Sequence, residues 1–158
     1  MSAHASAPLR PVPLRIAGYA ALFDAPDGAR DTIRPGAFAA TLAALRGRQA
    51  ALPLYWQHRP DQRIGRVVSA HEDARGLAVV AEVEPASRAA ALLRARAVSG
   101  LSFGYRVRRA DRSPDGRALI AVDLIEVSVV THPLQHGARV HWSSASAPVR
   151  AWPSTSSG

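Results

Sequence analysis

Three residues in this chain have types and settings that could do chemistry. His58 follows the apolar run Leu52–Gln57 and opens a polar stretch. An imidazole there can act as a base if one ring nitrogen reaches solvent or substrate while the other is held. The competing reading is an ordinary surface histidine. Ser102 lies in Ser99-Gly100-Leu101-Ser102-Phe103-Gly104-Tyr105, with glycine two residues away on either side. Glycines let a second backbone or a substrate approach, and free N–H groups can stabilise an oxyanion. The pattern differs from the strand–turn–helix nucleophile elbow, because Ser102 begins a strand after a helix. A solvated serine in a helix-to-strand turn is the alternative. Glu126 interrupts the apolar run Leu124–Val130. A carboxylate on such a strand is costly unless it is paired. It could orient an imidazole, as the acid of a catalytic triad does, or form a structural ion pair with an arginine such as Arg106.

Other candidates are weaker. His132 and His136 are four residues apart, but Pro133 between them forbids a helical metal pair. Together with His71 and His141 they make a poor case for zinc. Tyr55 and Trp56 could stack on a nucleobase, although core packing explains them as well. There is no glycine-rich phosphate loop and no dinucleotide fingerprint.

The elements that must carry these residues follow from periodicity and punctuation. Arg15–Phe23 reads as a strand, and Asp24–Asp31 as a loop. Phe38, Leu42 and Leu45 share one helical face. Short strands are expected at Leu52–Gln57, Ile64–His71 and Gly76–Glu84, with His58–Arg63 as a polar loop. Ser87–Val98 reads as a helix capped by Ser87 and ended by Gly100. Leu101–Arg109 alternates, Ser113-Pro114-Asp115-Gly116 is a turn, and Arg117–Thr131 is apolar on both faces, as a central buried strand should be. The expected class is mainly β with inserted helices (α+β): about six strands in a small, largely antiparallel β-barrel with two helices packed outside.

The chain has 158 residues, 47% of them hydrophobic, which suits one folded domain rather than bulk disorder. It divides into a flexible arm at 1–14, a folded domain at 15–141 and a Ser/Ala/Pro-rich tail at 142–158. No apolar run spans a bilayer and no secretory pattern is seen, so a cytoplasmic location is expected. Cysteine is absent, which removes disulfides, thiolate ligands and a cysteine nucleophile. The net charge of +8 comes entirely with arginine, scattered without a basic block. That charge admits a nucleic-acid-binding barrel but equally serves solubility.

Taken in order, several stretches resemble the prohead (capsid maturation) proteases of HK97-type tailed phages, which have relatives in gene transfer agents. They are Gly18-Tyr19-Ala20 with Phe23, Ile33-Arg34-Pro35-Gly36-Ala37-Phe38, His58 followed by Ile64-Gly65-Arg66-Val67, Gly76-Leu77, Gly100–Tyr105, and Leu124–Pro133. The resemblance covers roughly residues 15–140. It implies a serine endopeptidase with a herpesvirus-assemblin-like fold, Ser102 as nucleophile and His58 as general base. Glu126 is the orienting acid by this reading. His132 is the alternative, because Thr131-His132-Pro133 departs from the Pro-Ala-Asn often found there and assemblins use a second histidine. No cofactor is implied. The implied substrates are scaffold, or the scaffold-like N-terminal segment of the major capsid protein, and the protease itself, inside the immature capsid. The implied partners are therefore capsid protein and the portal-bearing procapsid shell, with self-association, no membrane and no specific nucleic acid. A catalytically silent assembly or scaffolding factor is the competing role.

Overall fold

The computed structural model describes residues 11–47 and 51–145. In chain order the elements are β1 (Leu14–Leu22), β2 (Asp31–Ile33), α1 (Ala39–Arg46), β3 (Pro53–Trp56), β4 (Arg59–Glu72), β5 (Gly76–Val83), α2 (Arg88–Arg94), β6 (Gly100–Ser113), β7 (Gly116–Val130) and β8 (Val140–Ala145). Among the described residues the fold is thus mainly β with two short helices, with two more strands than expected.

All eight strands belong to one sheet, ordered β2-β7-β3-β4-β5-β1-β8, with β6 also on β7. Most pairings are antiparallel; β2 and β3 pair in parallel with β7. Leu119 meets both Ile33 of β2 and Ala110 of β6, and Ser128 meets both Tyr55 of β3 and Ser102 of β6. A strand has two edges, so β6 occupies one edge of β7 while β2 and β3 share the other. This explains why β7 carries apolar residues on successive positions: Val127, Val129 and Val130 are all buried. The expected closed barrel is not realised as a continuous ladder. Among the described residues the strand path ends at β2 and β8, and isolated bridges join Phe23 to Ile33, Pro26 to Thr32 and Gly100 to Arg139.

The helices sit where their apolar stripes demand. Phe38, wholly buried, enters α1 and packs edge-on to Phe103, with ring centroids 5.2 Å apart. Leu42 follows on the same face. Burying side chains of this size contributes about 2 kcal/mol each. Glu72 at the end of β4 accepts the N–H groups of Gly36 and Phe38, supplying the start of α1 with the acceptor that a capping side chain would otherwise provide. Thr41 ties α1 to β7 by accepting the Leu124 N–H. In α2, the Ser87 hydroxyl accepts from the Ala90 N–H, as expected of a cap. The helix stops at Arg94, before the expected end, and Arg96 takes the left-handed conformation (φ 55°) that Gly100 was expected to supply. Gly100 instead opens β6. There a Cβ would lie 2.4 Å from the Val130 carbonyl oxygen, so a side chain is excluded by close approach and not by φ.

Three further expectations change. His58–Arg63 is not a loop: only Gln57 and His58 form the turn, and Arg59 already pairs with Trp56. Asp31–Ile33 is a strand despite its polar flank, because a three-residue parallel pairing needs no pattern of its own. The final strand carries backbone pairing with β1 out to Ala145, into residues assigned to the tail. Most of the expected arm, and the tail beyond 145, lie outside the described residues.

Candidate active site

β7 is the shelf on which the site is built. Glu126 and Ser128 lie two residues apart and so project to the same face of the strand. On one side of β7, β6 places Ser102 opposite Ser128 and Gly104 opposite Glu126. On the other side, β3 runs alongside and delivers His58 at the turn into β4. Residues 44 and 68 positions from His58 in sequence are thereby brought to it.

The contacts form an ordered relay. His58 Nε2 is 2.9 Å from Ser102 Oγ, and His58 Nδ1 is 2.5 Å from Glu126 Oε1. A carboxylate accepts, so the ring proton belongs on Nδ1, which leaves the Nε2 lone pair to accept from the serine hydroxyl. Glu126 is buried (6% exposed) and its second oxygen, Oε2, accepts from the Ser128 hydroxyl at 2.6 Å. Its partners are therefore an imidazole and a hydroxyl, not the arginine considered from sequence. The imidazole stands at the surface, with a side-chain exposure of 44%, between a buried acid and a partly exposed hydroxyl. Such an arrangement can take a proton from Ser102 and hold the resulting positive ring against the carboxylate.

The turn that presents His58 is unusual. Gln57 and His58 have φ of 53° and 59°, so two consecutive residues without the freedom of glycine are left-handed. That is the backbone of a two-residue hairpin turn, commonly written Asn-Gly, which is why the sequence reads as a loop here. The surroundings impose it. The Gln57 N–H donates to the Val129 carbonyl, its side-chain amide donates to Thr131 Oγ1 at 2.9 Å, and its Oε1 accepts the Thr131 N–H at 3.1 Å.

The two glycines flanking Ser102 serve packing. A Cβ on Gly104 would lie 2.6 Å from Glu126 Oε1, so this glycine makes room for the carboxylate. A cleft of about 140 Å³ opens beside Ser102 and His58, with Leu101, Phe103 and Ala138 among its apolar walls. Tyr105, also on its wall, donates to Asp31, and burial followed by the Asp31 charge raises the phenol above its usual value.

The other histidines stand elsewhere. His132 is exposed and its Nδ1 meets Thr131 Oγ1; no hydrogen bond links it to His58. His136 meets Arg139, and His141 packs edge-on to Tyr19. No three metal-ligating side chains converge among the described residues. Trp56 packs against the core margin. Ser99, three residues from Ser102 in sequence, accepts from Arg139. Sequence reasoning missed Ser128, Gln57 and Thr131. The only available signal was a hydroxyl two residues from a glutamate on one face of an apolar strand.

A model of the caudovirus prohead serine protease family matches residues 10–150. The prohead protease of Enterobacteria phage HK97 is 31% identical over 131 residues, a match covering 78% of this chain and 57% of that protein. The chain thus spans little more than half the length of this curated relative. Among solved structures, the KSHV protease in complex with a hexapeptide phosphonate inhibitor superimposes with a TM-score of 0.55 at 14% identity, over 81% of this chain and 64% of that one. At that identity the likeness concerns the fold.

Proposed function

The chain belongs to the caudovirus prohead serine protease family, and on that premise we propose that it is a serine endopeptidase of capsid maturation with Ser102, His58 and Glu126 as its catalytic unit. The observation that carries this reading is the unbroken contact Glu126–His58–Ser102 at the mouth of a cleft. Ser102 Oγ attacks a peptide carbonyl while His58 Nε2 takes its proton. The tetrahedral intermediate collapses to an acyl-enzyme as the imidazolium protonates the departing amine. Water, deprotonated by the same ring, then hydrolyses the ester. Glu126 keeps the proton on Nδ1 and offsets the positive charge that appears on the ring in both halves. His132, without a hydrogen bond to the ring, has no part in this scheme. The chemistry asks nothing of a cofactor.

The substrate class proposed is scaffold, or a scaffold-like N-terminal segment of the major capsid protein, cut inside the immature capsid, together with the protease itself. The test is co-expression of the chain with its capsid protein. Wild type should trim the capsid protein and Ser102→Ala should leave it full length. Trimming by the Ser102→Ala chain would overturn the assignment. An untrimmed capsid protein with wild type, in normally assembled shells, would favour a silent assembly factor.

A further inference from the structure

We propose that Ser128 is a positioning residue of this site: its hydroxyl fixes which oxygen of Glu126 meets the His58 ring and pins the backbone from which that ring hangs. The inference rests on the reading of Ser102, His58 and Glu126 as one unit, and it deepens that reading.

A serine hydroxyl has one proton and two lone pairs. At Ser128 the proton goes to Glu126 Oε2 at 2.6 Å, and a lone pair receives the His58 backbone N–H at 3.1 Å. One buried group is thus bonded to the acid directly and to the base through its main chain. The consequences are geometric. With Oε2 engaged, the carboxylate cannot rotate freely, and Oε1 is the oxygen that faces Nδ1. With the His58 N–H held, the ring has only its two side-chain torsions left, and both nitrogens land on partners.

This fixing is needed because packing does not supply it. The His58 side chain is 44% exposed, so few neighbours confine the ring. Its backbone is left-handed, a region that a residue other than glycine holds only when its surroundings impose it. Ser128 anchors the second residue of the turn, and the Gln57–Thr131 pair of bonds anchors the first. The turn is therefore tied at two points, to β7 at Ser128 and to Thr131, the residue just past its end. Ser128 itself is wholly buried at the centre of the rung Tyr55–Ser128–Ser102, so neither end of the relay can shift without moving the shelf.

The experiment compares purified full-length wild type, Ser102→Ala and Ser128→Ala. The rate of covalent labelling by a fluorophosphonate reports how well the base activates Ser102. The far-downfield proton resonance of the His58 Nδ1–H bond to Glu126 reports the geometry directly, whether or not the chain is a protease. Wild type should label and Ser102→Ala should not. Ser128→Ala, folded by circular dichroism, should label roughly 10- to 100-fold more slowly, and its downfield resonance should shift or vanish. Labelling of Ser128→Ala at the wild-type rate with the resonance unmoved overturns the proposal. If wild type fails to label, it is the reading of Ser102 that falls. The resonance then still decides Ser128: loss in Ser128→Ala supports its role and persistence refutes it. Should Ser128→Ala not fold, Ser128→Cys, close in size but a weaker donor, takes the same two measurements with the same outcomes.

Discussion

At the scale of single residues, the site depends on a few atoms held by specific hydrogen bonds. Ser102 and Ser99 are three residues apart, yet only Ser102 reaches the imidazole, while Ser99 accepts from Arg139. Ser102→Ala should remove peptide cleavage altogether, and Ser99→Ala should retain it, as read by capsid-protein trimming on a gel. Glu126→Gln nearly preserves volume, but the amide can favour the wrong imidazole tautomer and cannot stabilise the imidazolium. Turnover should fall roughly 10³- to 10⁴-fold, while the unfolding midpoint moves little; a purely structural acid would show the reverse. Gly104→Ala tests the same carboxylate from the other side. Its methyl would lie 2.6 Å from Oε1, and Glu126, bonded to Ser128 and His58, has no free direction in which to yield. Cleavage should drop at least about tenfold with a stability loss of about 1–3 kcal/mol, measured by denaturant unfolding beside a rate assay.

At the scale of elements, local signals succeed where the element is self-contained. The stripe of Phe38, Leu42 and Leu45 and the cap at Ser87 announce α1 and α2, since both depend on residues within a few positions. Ser87→Ala should cost about 1 kcal/mol of stability and leave the labelling rate of Ser102 unchanged, because α2 supplies no side chain to the site. Local signals fail where the element is imposed from outside. The turn at Gln57–His58 lacks asparagine or glycine and reads as a strand end at Gln57 followed by a loop from His58; it is a tight hairpin because Ser128 and Thr131, about 70 residues away, hold it. Likewise β2 is three residues long and exists through its pairing with Arg117–Leu119. The expected exit of α2 at Gly100 is displaced because Arg96 absorbs the left-handed turn.

At the scale of the whole molecule, the short strand β2 is locked to β7 by a partly buried ion pair. Asp31, with a side chain 4% exposed, receives Arg117 Nε at 2.8 Å and the Tyr105 hydroxyl at 3.2 Å. The Arg117 guanidinium holds the Asp31 carboxyl below the ordinary 3.8, against the opposing effect of burial. A carboxylate depressed in the folded state contributes stability that is complete above its unfolded value and lost as pH falls through the folded one. Thermal stability should therefore be level well above pH 4 and decline below it. Asp31→Asn should cost about 2 kcal/mol near neutrality, discounted because Arg117 is a third exposed, and should flatten the acid decline, as thermal melts across pH would show. A steeper decline in the variant would contradict the assignment of this pair. Across the chain, residue types and punctuation pointed to the β-rich class, the two helices and a central apolar strand, and singled out Ser102, His58 and Glu126 as candidates for chemistry. These are properties of short windows and of the order of motifs. Only the tertiary structure decided that Glu126 meets an imidazole rather than Arg106, that His132 stands aside, that Gly104 exists to admit a carboxylate, and that Ser128 joins acid to base. Each of those facts depends on which strands neighbour β7 and in what register. Register across 44 to 70 residues is set by the packing of the whole sheet, which no local pattern records.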